Sequence, residues 1–346
     1  MRKILKIATW SFILSPFAFI FGFIAFLRNV AFNLNILKTY VIPTKSIVVG
    51  NLAVGGTGKT PHVFYISNLL SKKFKVSILS RGYGRQSKGF KMVFANSLSN
   101  QVGDEPLLLK NRLNEVEVAV CESRKQGIIQ LNKQFGSDVI VLDDAFQHRK
   151  VRAGLNILLT EFHRPYFNDF PMPVGRLREF RSGKKRADVV IVTKCPDKVS
   201  ENEKEFFIQK IGLNSDHIFF SKIVYAPIQP FSVIRRQSFK SILLVSAIAD
   251  DTKIVEYLSD SFSVKTFKFR DHHTFTKEDI TKIHLKFELL PLEDAIILTT
   301  EKDFVKLREF NEVIDSKYPW CFLPIDIQID RENEFNQLLI NYVGTI

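Results

Sequence analysis

The sequence has 346 residues, 45% of them hydrophobic, so it can form two domains and is neither disordered nor of low complexity. The formal net charge of +13 favours an anionic partner, but it does not distinguish nucleic acid, phospholipid head groups and a phosphorylated substrate. The three cysteines form no Cys-x-x-Cys pair, which argues against a disulfide framework or zinc cluster and fits a reducing cytoplasm.

The chain begins with an apolar segment. Residues 7–27 contain no charged side chain, and this stretch is long enough for a helix to cross a bilayer. Ser15-Pro16 resembles the start of a new helix, and basic residues flank the segment on both sides. These features favour shallow insertion into a membrane surface, with a spanning helix, a buried helix and a signal peptide as alternatives. We assign residues 1–40 to an N-terminal membrane-associating helix and its exit.

Beyond this segment, short apolar runs alternate with helix-like stretches, which predicts an α/β fold with a mostly parallel sheet. The prolines of residues 226–230 predict a hinge between a larger domain, 41–226, and a smaller α/β domain, 227–346. The runs expected to form buried strands are residues 46–49, 75–79, 116–121, 139–142, 156–159 and 189–192, and then 242–245, 264–269, 295–298 and 321–325.

A glycine-rich loop follows the first predicted strand and precedes a helix-like run that ends near Ser71. Its residues are Ala53, Val54, Gly55, Gly56, Thr57, Gly58, Lys59 and Thr60. Glycines allow backbone N–H groups to surround phosphate oxygens, Lys59 can pair with the β- and γ-phosphates, and the Thr60 hydroxyl can ligate Mg²⁺. An ordinary glycine-rich turn is the alternative. The strand before and the helix after favour a P-loop NTPase-like domain that binds a nucleoside triphosphate.

Two carboxylates end another apolar strand, at Asp143 and Asp144. Such pairs often only cap a turn, but beside a phosphate loop they are typical of residues that orient Mg²⁺. A possible guanine-reading sequence, residues 193–197, has an extra residue and is interpreted as a strand followed by a turn.

Taken in order, several segments resemble the tetraacyldisaccharide 4′-kinase family of lipid A biosynthesis. They lie at residues 50–52, 80–84, 102–106, 143–148, 173–179, 271–273 and 300–303, so the resemblance covers most of the chain. No single segment is decisive, but the ordered set is specific. Two positions depart from the family pattern, which usually has glycine at Ala145 and proline at Arg176. A glycine of positive φ at position 145 would mean that the local turn differs here.

The resemblance implies a kinase that uses ATP and Mg²⁺ to phosphorylate the 4′-hydroxyl of an acylated glucosamine disaccharide 1-phosphate. It places the enzyme on the cytoplasmic face of the bacterial inner membrane, as a monomer whose partners are this lipid-linked substrate and the anionic membrane surface, without nucleic acid. The implied catalytic residues are Asp104, His272, Lys59 and Asp144. The implied metal ligands are Thr60, Glu105, Asp143 and Gln147. The implied substrate-binding residues are Arg81, Tyr83, Arg178 and Glu179.

From the residues alone, Asp104 is a helix N-cap and His272 belongs to a surface turn. The resemblance instead makes them a dyad that acts on the acceptor hydroxyl. Because they lie on different predicted domains, closure of the hinge is expected to bring them together. His148 and His273 are interpreted as structural residues, since no metal-ligand spacing surrounds them.

The densest basic cluster is either a solvated loop or a site for the substrate 1-phosphate or lipid head groups. Its members are Arg176, Arg178, Arg181, Lys184, Lys185 and Arg186. Two other functions compete with the kinase. A P-loop ATPase or GTPase coupled to partner binding would hydrolyse nucleotide without an acceptor. A nucleic-acid-dependent enzyme is disfavoured because no aromatic-basic stacking platform is evident.

Overall fold

The structure is a computed structural model that describes residues 2–233, 236, 238–271 and 273–345, with side chains described from residue 14 onward. The helices are α1 Arg2–Asn33, α2 Lys59–Ser71, α3 Ser99–Val102, α4 Asp104–Arg112, α5 Arg124–Phe135, α6 Glu201–Ile211, α7 Thr252–Ser259, α8 Lys277–Phe287, α9 Glu301–Leu307, α10 Asn311–Ile314 and α11 Glu332–Gly344. The strands are β1 Tyr40–Val41, β2 Lys45–Asn51, β3 Val76–Ser80, β4 Lys91–Met92, β5 Glu117–Val120, β6 Val139–Asp143, β7 Val151–Arg152, β8 Leu155–Glu161, β9 Val189–Thr193, β10 Ile218–Tyr225, β11 Gln229–Pro230, β12 Ser241–Ser246, β13 Ser263–Lys268, β14 Ala295–Thr300, β15 Trp320–Leu323 and β16 Ile325–Ile329.

A nine-stranded sheet in the order β16-β10-β9-β8-β2-β6-β3-β5-β4 forms the larger unit. All neighbours are parallel except the two edge strands, β16 and β4. The inner strands are continuous apolar runs because helices cover both faces of the sheet. Alternate residues of β2 enter the two core layers, Val49 with Ile66 of α2 on one face and Val48 with Ile128 of α5 on the other. The predicted α/β fold with a mostly parallel sheet is confirmed.

The smaller unit is a five-stranded sheet in the order β11-β15-β14-β12-β13, parallel except at β11. The chain does not end there. After β15 it returns to the larger unit, where β16 pairs antiparallel with β10 and α11 packs Phe335 against Phe219, ring centroids 4.9 Å apart. The single domain predicted at 227–346 is therefore wrong at its C-terminal end. Its last residues instead form the edge strand β16, which pairs with β10, and α11, whose apolar side chains pack against the larger sheet.

Helix α1 runs through Pro16 without the interruption that the sequence suggested. A proline removes one main-chain hydrogen bond, and here the helix continues on both sides of it. The helix contacts the protein along a narrow line that includes Ala18, Gly22 and Phe32. A Cβ at Gly22 would lie 2.6 Å from the ring of Phe180, so the contact requires a glycine. The rest of the helix surface, from residue 14 onward, is largely exposed and apolar.

Candidate active site

The glycine-rich loop lies at the carboxyl edge of the nine-stranded sheet, between β2 and α2. Gly55 and Gly58 have φ angles of 111° and 85°, in the left-handed region that glycine adopts without strain. Gly58 directly precedes the first residue of α2, so the loop N–H groups and the positive end of the helix face the same space. This arrangement suits the binding of a phosphate group.

A second segment supports the loop from one side. The N–H of Val54 donates to the carbonyl oxygen of Arg176 at 2.8 Å, and the N–H of Arg178 donates to the carbonyl oxygen of Leu52, also at 2.8 Å. The guanidinium of Arg176 pairs with Glu161 at 3.1 Å. The arginine that stands where the family has proline therefore supports the loop through its carbonyl oxygen and not through its side chain.

The hydroxyls of two threonines fix the middle of the loop. Asn51, at the end of β2, donates to Oγ1 of Thr57 at 2.7 Å. Thr193, at the end of β9, donates its hydroxyl to the carbonyl oxygen of Thr57 at 3.0 Å. Thr57 is buried, so the loop is held by two separate strands of the sheet.

His62 anchors the end of the loop. Its Nδ1 lies 2.6 Å from the carbonyl oxygen of Gly58, and its Nε2 lies 3.0 Å from the hydroxyl of Ser221 on β10. Burial lowers the pKa of His62 to about 4, so the ring is neutral near pH 7 and donates from Nδ1 to Gly58. Sequence reasoning missed this residue, because one histidine after a phosphate loop has no distinctive spacing.

Lys59 and Asp144 meet at the entrance to the loop. Nζ of Lys59 lies 3.7 Å from Oδ2 of Asp144, and Arg178 donates to both oxygens of that carboxylate, at 2.8 and 3.1 Å. Burial alone would raise the pKa of Asp144, but the charges of Lys59 and Arg178 outweigh it and hold the pKa below its usual value. Arg178, predicted to bind substrate, thus also orients a predicted catalytic residue.

The positive φ angle in this turn falls on Asp144, at 46°, and Ala145 is not among the residues with positive φ. Ala145 is buried against the core below the loop. Alanine therefore fits this position without the backbone strain that the missing glycine suggested.

Asp143 is buried beside the loop. The hydroxyl of Ser80 donates to its Oδ2 at 2.9 Å, whereas its Oδ1 is buried without a hydrogen-bond partner. Burial raises the pKa of Asp143, and the nearby charges of Glu105 and Asp144 raise it further. A buried carboxylate oxygen without a hydrogen-bond partner is suited to a cation.

The residues present fit Mg²⁺ in the manner of phosphate-loop proteins. Thr60, Asp143 and Glu105 offer the hard oxygen donors that this ion prefers. Among the described residues, no three His, Cys, Asp or Glu side chains are grouped to hold a metal by themselves. Mg²⁺ in such proteins takes most of its ligands from water and the nucleotide phosphates, so a smaller protein set is sufficient.

Gln147 does not join this set in the structure. Its Nε2 donates to the carbonyl oxygen of Asn51 at 2.7 Å and to Oε1 of Glu179 at 3.1 Å. Its Oε1 accepts a longer hydrogen bond from Arg178, 3.4 Å. The amide of Gln147, predicted to be a metal ligand, is therefore already hydrogen-bonded to Asn51, Glu179 and Arg178.

Glu179 lies below the site and is 1% exposed. Arg186 donates to both carboxylate oxygens, at 3.0 and 2.7 Å, and Asn29 of α1 donates to Oε2 at 2.6 Å. Direct substrate binding by Glu179, as predicted, does not agree with this burial. The side chain instead joins the apolar helix to the base of the site.

Most members of the basic cluster are engaged by other groups of the protein. Arg176, Arg178 and Arg186 each pair with a carboxylate of the protein. Lys184 donates to the carbonyl oxygens at the end of α6, including that of Lys210 at 3.2 Å. Arg181 and Lys185 remain largely exposed, so only part of the cluster can meet an anionic ligand.

Arg124 was not identified from the sequence. This residue starts α5, is 2% exposed, and donates to the carbonyl oxygens of Asp143 at 2.7 Å and Cys121 at 2.9 Å. It fixes the backbone of the buried carboxylate. An arginine in the first turn of a helix is usually solvent-exposed, so the sequence pattern gave no reason to select it.

Arg81 and Tyr83 follow β3 and are exposed, Tyr83 by 74%. Their loop packs closely on the start of α4. A Cβ at Gly103 would lie 3.2 Å from the carbonyl oxygen of Tyr83, and Gly82 and Gly103 both have positive φ, at 70° and 93°. The loop that carries the two predicted substrate-binding residues therefore lies against the first turn of α4.

Asp104 is the first residue of α4, and Gly103 is the N-cap, so Asp104 lies one position past the cap that it was expected to form. Lys306 of α9 places its Nζ 3.5 Å from Oδ2 of Asp104 and donates to the carbonyl oxygen of His273 at 3.2 Å. His272 lies outside the described residues. Its neighbour His273 is nevertheless close to Asp104, so the smaller unit reaches the site.

His273 and His148 are interpreted from the sequence as structural residues. Nε2 of His273 lies 2.9 Å from Asp279, and its ring stacks on Phe269 with centroids 4.7 Å apart. Burial, with the charge of Arg124 next in size, lowers the pKa of His148 to about 4. The contacts of His273 agree with its structural interpretation, and the lowered pKa leaves His148 neutral near pH 7.

One described helix is long and apolar enough to cross a membrane, by length and composition. Its apolar part, residues 14–33, has a mean hydropathy of 1.6 and is 11% buried. Phe17, Ile20 and Ile24 are 62%, 54% and 63% exposed and point away from the protein body. At its C-terminal end, Arg28 donates to the carbonyl oxygen of Gln147 at 3.3 Å, so the exposed apolar surface is attached to the site.

Residues 10–344 match a family model described as tetraacyldisaccharide-1-P 4′-kinase. A tetraacyldisaccharide 4′-kinase of Bacteroides fragilis strain YCH46 is 38% identical, with 98% of this chain and 94% of the relative covered. One of Flavobacterium psychrophilum is 41% identical, with 95% and 96% covered. The crystal structure of the "apo" form of LpxK from Aquifex aeolicus in complex with ATP has a TM-score of 0.76 and 28% identity, covering 97% of this chain and 100% of that one. These matches confirm the resemblance.

Proposed function

Since the chain belongs to the tetraacyldisaccharide-1-P 4′-kinase family, we propose that it transfers the γ-phosphate of ATP to the 4′-hydroxyl of an acylated glucosamine disaccharide 1-phosphate. Family membership makes it an ATP-binding kinase of lipid A biosynthesis. One observation carries the assignment of donor and acceptor sides. The first turn of α4 lies against the loop after β3, where a Cβ at Gly103 would be 3.2 Å from the carbonyl oxygen of Tyr83. Ser80, at the end of β3, donates to Asp143 beside the phosphate loop at 2.9 Å, so the two sides of the site adjoin.

On the donor side, the loop N–H groups and Lys59 bind the triphosphate. Lys59 is held near the phosphates by Asp144, and Arg178 keeps that carboxylate in place. Phosphoryl transfer depends mainly on positioning and on compensation of negative charge, and this pair of cations supports both.

Thr60, Asp143 and Glu105 are the residues that would hold Mg²⁺, and the unpaired oxygen of Asp143 is the strongest indication of this. When bound, Mg²⁺ neutralises charge on the β- and γ-phosphates. The chain itself fixes Asp143 through Ser80 and Arg124, so the carboxylate needs no rearrangement to receive the ion.

On the acceptor side, Asp104 takes the proton of the 4′-hydroxyl as its oxygen attacks the γ-phosphorus and ADP leaves. An isolated aspartate is a weak base toward an alcohol, and we propose that His272, which precedes His273 in the sequence, completes the dyad. Closure of the smaller unit over the acceptor remains part of this proposal. Arg81 and Tyr83 flank the same place and are proposed to contact the sugar or its 1-phosphate.

The substrate is acylated, and the exposed apolar face of α1 provides a means to meet it at the inner-membrane surface. We place the enzyme as a monomer on the cytoplasmic face, where ATP is available, with anionic lipids attracted by the net charge of +13. Nucleic acid has no part in this proposal.

The decisive experiment incubates the purified protein with γ-labelled ATP, Mg²⁺ and a tetraacylated glucosamine disaccharide 1-phosphate in detergent micelles. A labelled 1,4′-bisphosphate is expected. Label released as free phosphate at the same rate with and without acceptor would instead support a P-loop ATPase. An acceptor whose 4′-hydroxyl is blocked is the control for the site of transfer, and it should give no labelled product.

A further inference from the structure

Residues 300–303 are one of the segments that carry the family resemblance. One of them, Lys302, reaches the site already described, with Nζ 3.6 Å from Oε1 of Glu105. The other polar residues of the segment fix the start of α9. Thr300 is the N-cap of α9, and its hydroxyl donates to Oδ2 of Asp303 at 2.7 Å. The N–H of Ala247 donates to the same oxygen at 2.8 Å, and Asp303 is fully buried. The segment therefore fixes a buried carboxylate at the start of α9.

Lys306 lies one turn beyond Asp303 and is 9% exposed. Its Nζ is 3.7 Å from Oδ1 of Asp303, 3.2 Å from the carbonyl oxygen of His273 and 3.5 Å from Oδ2 of Asp104. The first two groups belong to the smaller unit and the third to the larger one. The ammonium group is thus held by one unit and directed at the other.

The Asp104 carboxylate is fixed from both sides. The N–H of Glu105 donates to Oδ1 at 3.0 Å, and Lys306 contacts Oδ2. A buried lysine requires compensating charge, and here Asp303 and Asp104 supply it. Since a base must present a defined lone pair to the proton that it removes, the direction of this carboxylate determines whether it can act.

We propose that Lys306 is a positioning residue, which holds the Asp104 carboxylate in the direction required for proton removal when α9 lies against α4. The inference rests on the proposed function, in which Asp104 is the base. Lys306 does not touch the substrate in this scheme and acts through Asp104 alone. The smaller unit thereby controls the base from its own side of the site.

A neighbouring contact provides a matched control for simple attachment of the two units. Arg112 of α4 also contacts α9 and β16. Its Nε lies 3.4 Å from Oε1 of Glu301, and its guanidinium donates to the carbonyl oxygen of Ile325 at 2.8 Å. This pair holds the same two helices together but lies at the other end of α4, away from Asp104. Its loss weakens attachment without turning the base.

The test compares wild-type protein, Lys306→Gln, Lys306→Arg and Arg112→Gln in the labelled transfer assay. For Lys306→Gln, we expect kcat to fall by about 10–100-fold while the KM for ATP stays within about threefold. Lys306→Arg should recover most of the loss because it retains the cation. Arg112→Gln should keep kcat within about threefold of wild type, although its thermal midpoint falls.

The second arm adds Lys306→Gln to Asp104→Asn. If the lysine acts through the aspartate, it causes little further loss there, less than about threefold. Multiplication of the two losses would overturn the proposal, and so would equal kcat losses in Lys306→Gln and Arg112→Gln. If Lys306→Gln does not fold, Lys306→Arg decides: kcat near wild type supports the proposal and a loss above tenfold overturns it. No transfer by the wild type would instead refute the proposed function.

Discussion

Asp144 contacts two cationic side chains: Nζ of Lys59 lies 3.7 Å from its Oδ2, and Arg178 donates two hydrogen bonds to the same carboxylate in a bidentate arrangement. The aspartate therefore sets the position of the lysine that is to meet the nucleotide. Because Arg178 also donates its N–H to the carbonyl oxygen of Leu52, its own backbone is fixed to the loop. The three residues thus form one connected group at the phosphate loop.

Lys59→Ala and Thr60→Ala should each nearly abolish phosphate transfer. The first removes charge compensation at the phosphates and the second a metal ligand, and each loss is expected to be about 10²–10³-fold in kcat. Initial rates at saturating ATP measure this. Near-normal turnover in either variant would contradict the prediction that this loop binds ATP.

Asp104→Ala and His272→Ala should each lower kcat strongly, by about 10²–10⁴-fold, with little change in ATP affinity. The double variant should be scarcely worse than the poorer single one, because the two residues act as one unit. The measurement is a double-mutant cycle on kcat, with ATP affinity determined separately. Losses that multiply would show that the residues act independently.

The stability of the ATP-free protein should fall on mild acidification because of His62. An unfolded histidine has a pKa of 6.5, whereas burial lowers the folded pKa to about 4. Between these values only the unfolded chain takes up the proton, so stability is retained above pH 6.5 and decreases toward pH 4. His62 accounts for about 2 kcal/mol of the loss between pH 7 and pH 5.

Urea unfolding of wild type and His62→Gln at both pH values isolates this contribution. His148 and His284 have pKa values lowered to about 4 by burial, but they titrate alike in both proteins and cancel in the difference. The variant should be less stable at pH 7 and should lose less stability than wild type on going to pH 5. An identical pH dependence in the two proteins would contradict the neutral, buried state of His62.

The combined variant Phe17→Ser, Ile20→Ser and Ile24→Ser should weaken binding to vesicles containing anionic lipid by at least about tenfold, since three apolar side chains no longer enter the membrane. Transfer to a long-chain acceptor in vesicles should fall, whereas transfer to a short-chain, soluble analogue should not. Leu285→Ser with Leu289→Ser is the matched control, since these side chains are similarly exposed on α8 and in the turn that follows it. Equal loss on both acceptors would show that this face belongs to the folded core.

The phosphate loop and the buried strands were predictable because the signals for them are local: the glycines, the Lys59-Thr60 ending and the apolar runs are visible within a few residues. The buried role of Glu179 was not. Its partner Asn29 lies 150 residues away, and no local pattern connects them. Arg124 was missed for a similar reason, because its burial depends on how α5 packs against β6.

The return of β16 and α11 to the larger sheet has a consequence for biosynthesis. Strand β10 is complete by Tyr225, but the strand that covers its open edge begins only at Ile325. The ribosome must therefore synthesise the whole smaller unit before the edge strand β16 can complete the nine-stranded sheet. During that interval the nascent chain presents an unpaired apolar edge, which makes it a substrate for chaperones and a hazard for aggregation. Truncation at the very C-terminus should consequently damage the part of the enzyme that is synthesised first.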